Sequence, residues 1–540
     1  MARVTRRKFL AGGASAAAGA LAFSAANWGS RAWPDAPAAD SGDPRDFVAP
    51  EFTTDDSALD SAYRHALTVL SGNVTNLLEF PDPVLIEGST YRGVWLECAP
   101  QEGLVYSQFA PALGFANHRV FFAMQRDDGY FPCSVKPDVA GTGQIQMVVP
   151  IAATALDLFE MYGDSAFLEI AYHACARWDR WLVRYRNTRG SGLCEGFCTY
   201  DTGHDNSPRW KGMPNRCADN DARIIAAAPG LPRLCPDLSA TVFGGRVALA
   251  KMARIMGRNS EAGDWDERAA AIRQLIVDRL YVPEDACFYD LDADGNFVRV
   301  RGDAMIRVLG EHVVDAAMFE EIYGRQIHNP QAFWPPYPLP SIALDDPSFV
   351  RPIPRNSWGG ASQALTALRA PRWMEFYGKP ADLANLMTQW VAAIVRAGDF
   401  YQQIDPLTGD ATKTGDPGGY SPAALTLLDF VWRLHGVRRE GERLEWNCGA
   451  SAISGKTAAA VKTPRGAARL EHTGNDSSLS LAGKPILRVT RSGAARIVTD
   501  LDGKPLAVTG TADASANVRL LWPSGKDFKI TVAPNETKSI

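Results

Sequence analysis

From about residue 55 to residue 437 the chain alternates stretches of helical period with connections rich in glycine and proline. Ser57 to Leu70 spaces Leu59, Ala62, Tyr63, Ala66 and Leu70 three and four residues apart. Asp164 to Tyr185 does the same with Phe167, Ile170, Ala171, Ala174, Trp178 and Trp181. Such spacing puts apolar side chains on one face of an α-helix. Further helices are expected at about 145–161, 238–256, 261–280, 313–325, 361–377, 380–397 and 421–435. Gly163, Gly257, Gly378 and Gly436 stand where a helix ends on a residue free to turn left-handed. About 380 residues at ordinary helix and loop lengths hold roughly twelve helices. The periodicity predicts one large helical domain.

The composition changes after Arg439, where Ser, Thr, Gly and Val dominate and alternating runs appear. Pro485 to Thr490 and Ala494 to Thr499 are such runs, with turn signals at Asp502-Gly503 and Ser524-Gly525. A small β-sandwich is expected there. At the other end, Thr5-Arg6-Arg7-Lys8-Phe9-Leu10 precedes an Ala/Gly-rich apolar stretch to about Ala26. That is a twin-arginine export signal, too short and small-residue-rich for a spanning helix. The expected organisation is a signal at 1–30, a linker at 31–50, a helical domain at 51–440 and the sandwich at 441–540. Periplasmic or secreted localisation follows, with no membrane anchor after cleavage.

A net charge of −5 argues against nucleic acid or an acidic membrane as the main partner. Nine cysteines follow the signal. Cys194, Cys198, Cys217 and Cys235 bracket one loop, which leaves a disulfide or buried free thiols open. No Cys-x-x-Cys and no nearby His pair call for a metal, and no cofactor is implied.

That loop is Tyr200-Asp201-Thr202-Gly203-His204-Asp205-Asn206-Ser207-Pro208-Arg209-Trp210. Gly203 and Pro208 forbid a regular helix, so the stretch presents side chains rather than packing one face. A carboxylic acid beside Asn, Arg and Trp suits sugar cleavage: the acid protonates a glycosidic oxygen, amide and guanidinium hold hydroxyls, and indole stacks on a pyranose. A polar surface loop is the competing reading. The segment resembles the general-acid loop of the six-hairpin glycosidases, above all glycoside hydrolase family 63, its mannosylglycerate-hydrolase relatives and the family 37 trehalases. Their pattern runs roughly Glu-(Ser/Thr)-Gly-(Trp/His/Met)-Asp-Asn-Ser-Pro-Arg.

More of the family's order is present: Asp128-Gly129-Tyr130-Phe131-Pro132, Gly143-Gln144-Ile145-Gln146, Pro236-Asp237-Leu238-Ser239-Ala240, Phe288-Tyr289-Asp290 and Tyr337-Pro338-Leu339-Pro340-Ser341. The resemblance implies a mainly α fold, an (α/α)6 toroid, with the sandwich appended. It implies a carbohydrate substrate, Asp205 as proton donor and Asp201 at the family's leading Glu. Asn206, Arg209, Trp210, His204, Gln144, Asp128, Trp358 and Tyr420 are the expected substrate ligands, and inversion is the expected stereochemistry.

Two departures stand out. The family's Trp-Arg-Gly-Pro is here Ser357-Trp358-Gly359-Gly360, with Arg355 as a substitute cation. The family's base is the Glu of Phe-x-Glu-x-Tyr-Asp-Pro-x-Thr-Gly, and this chain reads Phe400-Tyr401-Gln402-Gln403-Ile404-Asp405-Pro406-Leu407-Thr408-Gly409. Gln402 occupies the catalytic position, yet an amide is no base at neutral pH. Three readings stay open. Another carboxylate (Asp201, Asp128, Glu97 or Glu102) activates water; a uronate lyase uses His204, Tyr130 or Tyr420; or the chain binds glycans without cleaving them.

Overall fold

The computed structural model describes residues 48–88, 90–449 and 455–540; the expected export signal and most of the expected linker lie outside them. Twelve α-helices form among the described residues. Six of them touch in cyclic order: Ala99–Tyr106, Ile151–Tyr162, Pro236–Ile255, Ala304–Gly310, Ala364–Met374 and Ser421–His435, the last closing on the first. The other six, from Ser57–Gly72 to Pro380–Ala397, pack outside this ring. This is the expected (α/α)6 toroid.

The outer helices carry the amphipathic stripes that made them legible. Ser57–Gly72 buries Leu59, Tyr63, Ala66 and Leu70 and is capped by Asp56, whose carboxylate accepts from the Ala58 and Leu59 amides. Inner helices are covered on every side. All seven residues of Ala304–Gly310 are buried, so that helix has no polar face to betray it, and neither it, Ala99–Tyr106 nor Pro111–Ala123 was among those expected. The helix expected from 145 begins at Ile151, because Gln146 adopts a left-handed φ of 44° and Pro150 precedes the first turn. Gly163 ends its helix left-handed at φ 70°, whereas Gly436 is extended at φ −105° and leads straight into a strand.

That strand, Val437–Glu440, starts a five-stranded antiparallel sheet that faces a seven-stranded one across a core containing Trp446, Leu470, Val489, Ile497 and Leu520. Glu51–Thr54, ahead of all the helices, is the edge strand of the larger sheet and pairs with Lys456–Thr463. Two strands on the helical side of the expected boundary therefore belong to the sandwich. Arg496 fastens it to the toroid through Glu375 at the end of helix Ala364–Met374. No helix among the described residues is long and apolar enough to cross a membrane.

The ring fixes where chemistry can happen. Glu97 and Cys98, Asp237, Asp303, Gln363 and Tyr420 all lie within two residues of the first residue of an inner helix. Five inner-helix N-termini, each with positive partial charge on free amide groups, thus converge at one end of the barrel. The acid loop spans that end.

Candidate active site

The loop 199–210 is two short 3-10 turns joined at Gly203, which is left-handed at φ 63°. A Cβ there would fall 1.6 Å from Glu97 Oε2, so glycine is required twice, by conformation and by space. Two residues on, Asp205 is largely buried. The Asn356 amide donates to its Oδ2 at 2.8 Å, the only hydrogen bond to this carboxyl among the described residues. Burial pushes the Asp205 carboxyl above the usual range and the Asn356 bond pulls the other way.

Asn356 ties three parts together. Its Oδ1 accepts from Gln402 Nε2 at 2.9 Å, and its backbone carbonyl accepts from Asn206 Nδ2 at 2.8 Å. Gln402 Oε1 in turn accepts from the Tyr91 hydroxyl at 3.1 Å. The Trp358 amide donates to the Asp205 carbonyl at 3.0 Å, so the 356–358 segment is stitched along the acid loop. The structure thus brings Asp205, Asn206 and Gln402 together, and adds Asn356 and Tyr91. Neither was expected. The one local signal for Asn356 is its left-handed φ of 49°, a conformation asparagine tolerates better than most residues.

Other expected ligands turn out to be foundations. Asp201 is 0% exposed. It accepts from the Ile145 amide at 2.8 Å, the Phe197 amide at 2.6 Å and both terminal nitrogens of buried Arg186. With its lone pairs filled and no path to solvent, it cannot act as a base or touch substrate. Arg209 is a hub rather than a sugar ligand, donating to Asp237 at 2.7 Å from two nitrogens and to Asp290 at 2.7 Å from Nε. It also donates to His204 Nδ1 at 3.0 Å, while His204 Nε2 lies 2.5 Å from Asp303. Burial, then Arg307, hold the His204 pKa down to about 4, so it is a neutral strut. Although burial opposes it, His204 and Arg307 keep Asp303 below the carboxylate range.

Neither tryptophan is a stacking platform. Trp210 is buried, donates to Thr202 Oγ1 at 2.9 Å and lies under the Arg233 guanidinium. Trp358 is buried with its edge on His204 and Arg307 over its face. Gln144 bonds Gln146 at 3.0 Å, and its carbonyl accepts the Tyr130 hydroxyl at 2.6 Å. Tyr420 donates to Glu87 Oε1 at 2.7 Å. These engagements leave His204, Tyr130 and Tyr420 no freedom to abstract a substrate proton. Asp128 caps its own turn at the Tyr130 amide, near Arg126 and Arg223. Cys198 and Cys217 meet at 3.6 Å as thiols, and all nine cysteines are free.

A second group of buried acids adjoins the loop. Burial pushes Glu97 up to about 7, with Arg369 opposing and Asp205 adding to the rise. Burial likewise takes Glu102 to about 7, with the Cys98 thiol opposing, and Glu87 well above the ordinary value. Glu102 is 0% exposed. Glu97 keeps 8% exposure, with Oε2 turned to Gly203.

A domain model described as the mannosylglycerate hydrolase MGH1-like glycoside hydrolase domain matches residues 106–421, more than half of the chain. The chain belongs to that family. It is a glycoside hydrolase acting on a carbohydrate. The family 63 mannosylglycerate hydrolase from Thermus thermophilus, solved with glucose, superposes with a TM-score of 0.56 at 18% identity, covering 69% of this chain and 99% of that one. Neutral trehalase from Saccharomyces cerevisiae gives 0.53 at 12% identity, covering 68% and 80%. A family 78 rhamnosidase from Bacillus sp. GL1 gives 0.53 at 12%, covering 88% of this chain and 42% of that one. These likenesses show the fold. No protein of curated function matches the sequence.

Proposed function

We propose that this glycoside hydrolase is exported through the twin-arginine route and cleaves an oligo- or polysaccharide outside the cytoplasm, with inversion and with Asp205 as general acid. The environment of Asp205 carries the reading. It is a mostly buried carboxyl with raised proton affinity, held by one amide at the open end of a barrel, on a loop whose floor is locked by ion pairs. A group of that kind stays protonated long enough to hand its proton to a leaving alkoxide.

Inversion needs a second carboxylate on the water side, about 6.5–9.5 Å from the acid. Of the four carboxylates the sequence offered, Asp201 is locked, Glu102 is sealed and Asp128 caps a turn beside arginines. Glu97 faces the acid loop at Gly203 and feels the charge of Asp205. It takes the role of base, and Gln402 does not.

The test is product analysis by mass spectrometry in ¹⁸O-water on a panel of 4-nitrophenyl hexosides, oligosaccharides and mannosylglycerate. One label per cleavage is the expected result, and Asp205→Asn should lower turnover by about 10²–10⁴-fold on unactivated substrates. Cleavage without label, or an Asp205→Asn enzyme as active as the parent, would remove the proposal.

A further inference from the structure

We infer that Gln402 and Asn356 form a one-way amide relay that fixes which oxygen of Asp205 carries the acidic proton. The inference rests on the reading of Asp205 as acid. Its core is a sequence of three hydrogen bonds that all run towards Asp205. The Tyr91 hydroxyl donates to Gln402 Oε1 at 3.1 Å, Gln402 Nε2 donates to Asn356 Oδ1 at 2.9 Å, and Asn356 Nδ2 donates to Asp205 Oδ2 at 2.8 Å.

Each link constrains the next. A primary amide presents its donor and acceptor on opposite prongs. The direction is set from the acid end: an ionised Asp205 can only accept, so Asn356 presents Nδ2 to it and receives on Oδ1, and Gln402 donates through Nε2 and receives the phenol on Oε1. The Asn356 backbone is held beside the acid loop by the Asn206 bond to its carbonyl. With the amides set in that direction Asp205 Oδ2 is an acceptor, and the proton that returns to the acid goes to Oδ1. A general acid gains from that division, since the proton starts on the one oxygen not engaged by protein.

The relay also explains the residue type at 402. A glutamate there has no N–H to give. It would turn the Asn356 amide round, and Asn356 Oδ1 would then face Asp205 Oδ2, which only a protonated Asp205 could satisfy. Glutamine thus serves here as a positioning residue for the acid, where the resemblance places a base. Asp205 is also faced by Glu97 from the loop before helix Ala99–Tyr106, by Glu87 and Tyr91 from the preceding segment and by Tyr200 from its own loop. Arg355 acts on Tyr91 from the far side. Of these only Tyr91 bonds to either amide, so the charges around Asp205 are unchanged when the two amides are replaced.

The test compares Gln402→Met, Asn356→Leu and the double variant, none of which adds charge. Two readouts are taken: the basic limb of the kcat/KM pH profile, and titration of the protonated-carboxyl infrared band that vanishes in Asp205→Asn. The hydrogen bond favours the ionised carboxyl, so losing it moves both readouts to higher pH. Asn356→Leu should shift them by about one to two units and Gln402→Met in the same direction by less. The double variant should match Asn356→Leu alone, because a relay is not additive. A shift in Asn356→Leu with none in Gln402→Met would cut Gln402 out of the relay. No shift in either would overturn the proposal. The infrared readout holds whether or not the variants turn over, so a failed acid assignment is told apart from a failed relay.

Discussion

Two groups of buried charge adjoin the acid loop, and they are built oppositely. In one, Asp201 meets Arg186, Arg209 bridges Asp237 and Asp290, and His204 leans on Asp303. Each acid there has a cation or a histidine partner within hydrogen-bonding reach. In the other, Glu87, Glu97 and Glu102 are met by the Tyr420 hydroxyl, the Gln146 amide and the Cys98 thiol, with the Arg369 charge near Glu97 and Glu102, and burial still drives all three towards the neutral form. A buried ion pair costs desolvation but is repaid when geometry is complete, and an incomplete one is tolerated where function needs it. Balance marks the scaffold. Imbalance marks the working face, and Asp205 is the member of the loop turned towards it.

The sharpest way to break this contrast is to take a carboxylate from the unpaired group. Glu97→Ala should cost about 10²–10⁴-fold in kcat on natural substrates with little loss of stability. Sodium azide should then restore turnover of a glycosyl fluoride and yield a glycosyl azide of inverted configuration, read by NMR. Rescue in Asp416→Ala instead, the acid whose Oδ2 accepts from the Gln402 amide at 3.4 Å, would move the base to the 415–419 loop.

The paired group should fail the other way. Asp201→Asn leaves Arg186 charged and buried without its counterion, and should destabilise by about 3–5 kcal/mol. Urea unfolding checks this. An Asp201→Asn protein of normal stability but no activity would instead return Asp201 to the chemistry.

How far the sequence reached follows the same division. Asp205 was legible because Gly203 and Pro208 announce a loop and the run of residues after it resembles a known pattern. Asp201, Arg209 and Trp210 were misassigned because nothing local separates a polar side chain facing a cavity from one facing a buried partner. Asp201 pairs with Arg186, 15 residues away, Arg209 with Asp237 and Asp290, 28 and 81 away, and Trp210 with Thr202, 8 away. Asn356 joins Asp205 across 151 residues and depends on a backbone twist, so no spacing exposes it. The outer helices showed themselves through period, while Ala304–Gly310 stayed hidden because complete burial erases period.

A milder test of charge balance lies at the junction with the sandwich, where Glu375 meets Arg496. Burial alone would raise the Glu375 pKa, but Arg496 holds it down to about 2 from an ordinary 4.5. A depressed carboxylate contributes stability that is complete above its unfolded pKa and fades as pH falls towards its folded one. The window is therefore about pH 4.5 down to about 2. The shift corresponds to at most about 3 kcal/mol, less what solvent screens at the partly open edge of the pair. Glu375→Gln should unfold at lower urea than the parent at pH 6, and the gap should narrow steadily as pH falls through 4. A gap that stays constant with pH would mean the glutamate packs the junction without its charge counting, and the contrast between paired and unpaired acids would then be confined to the barrel.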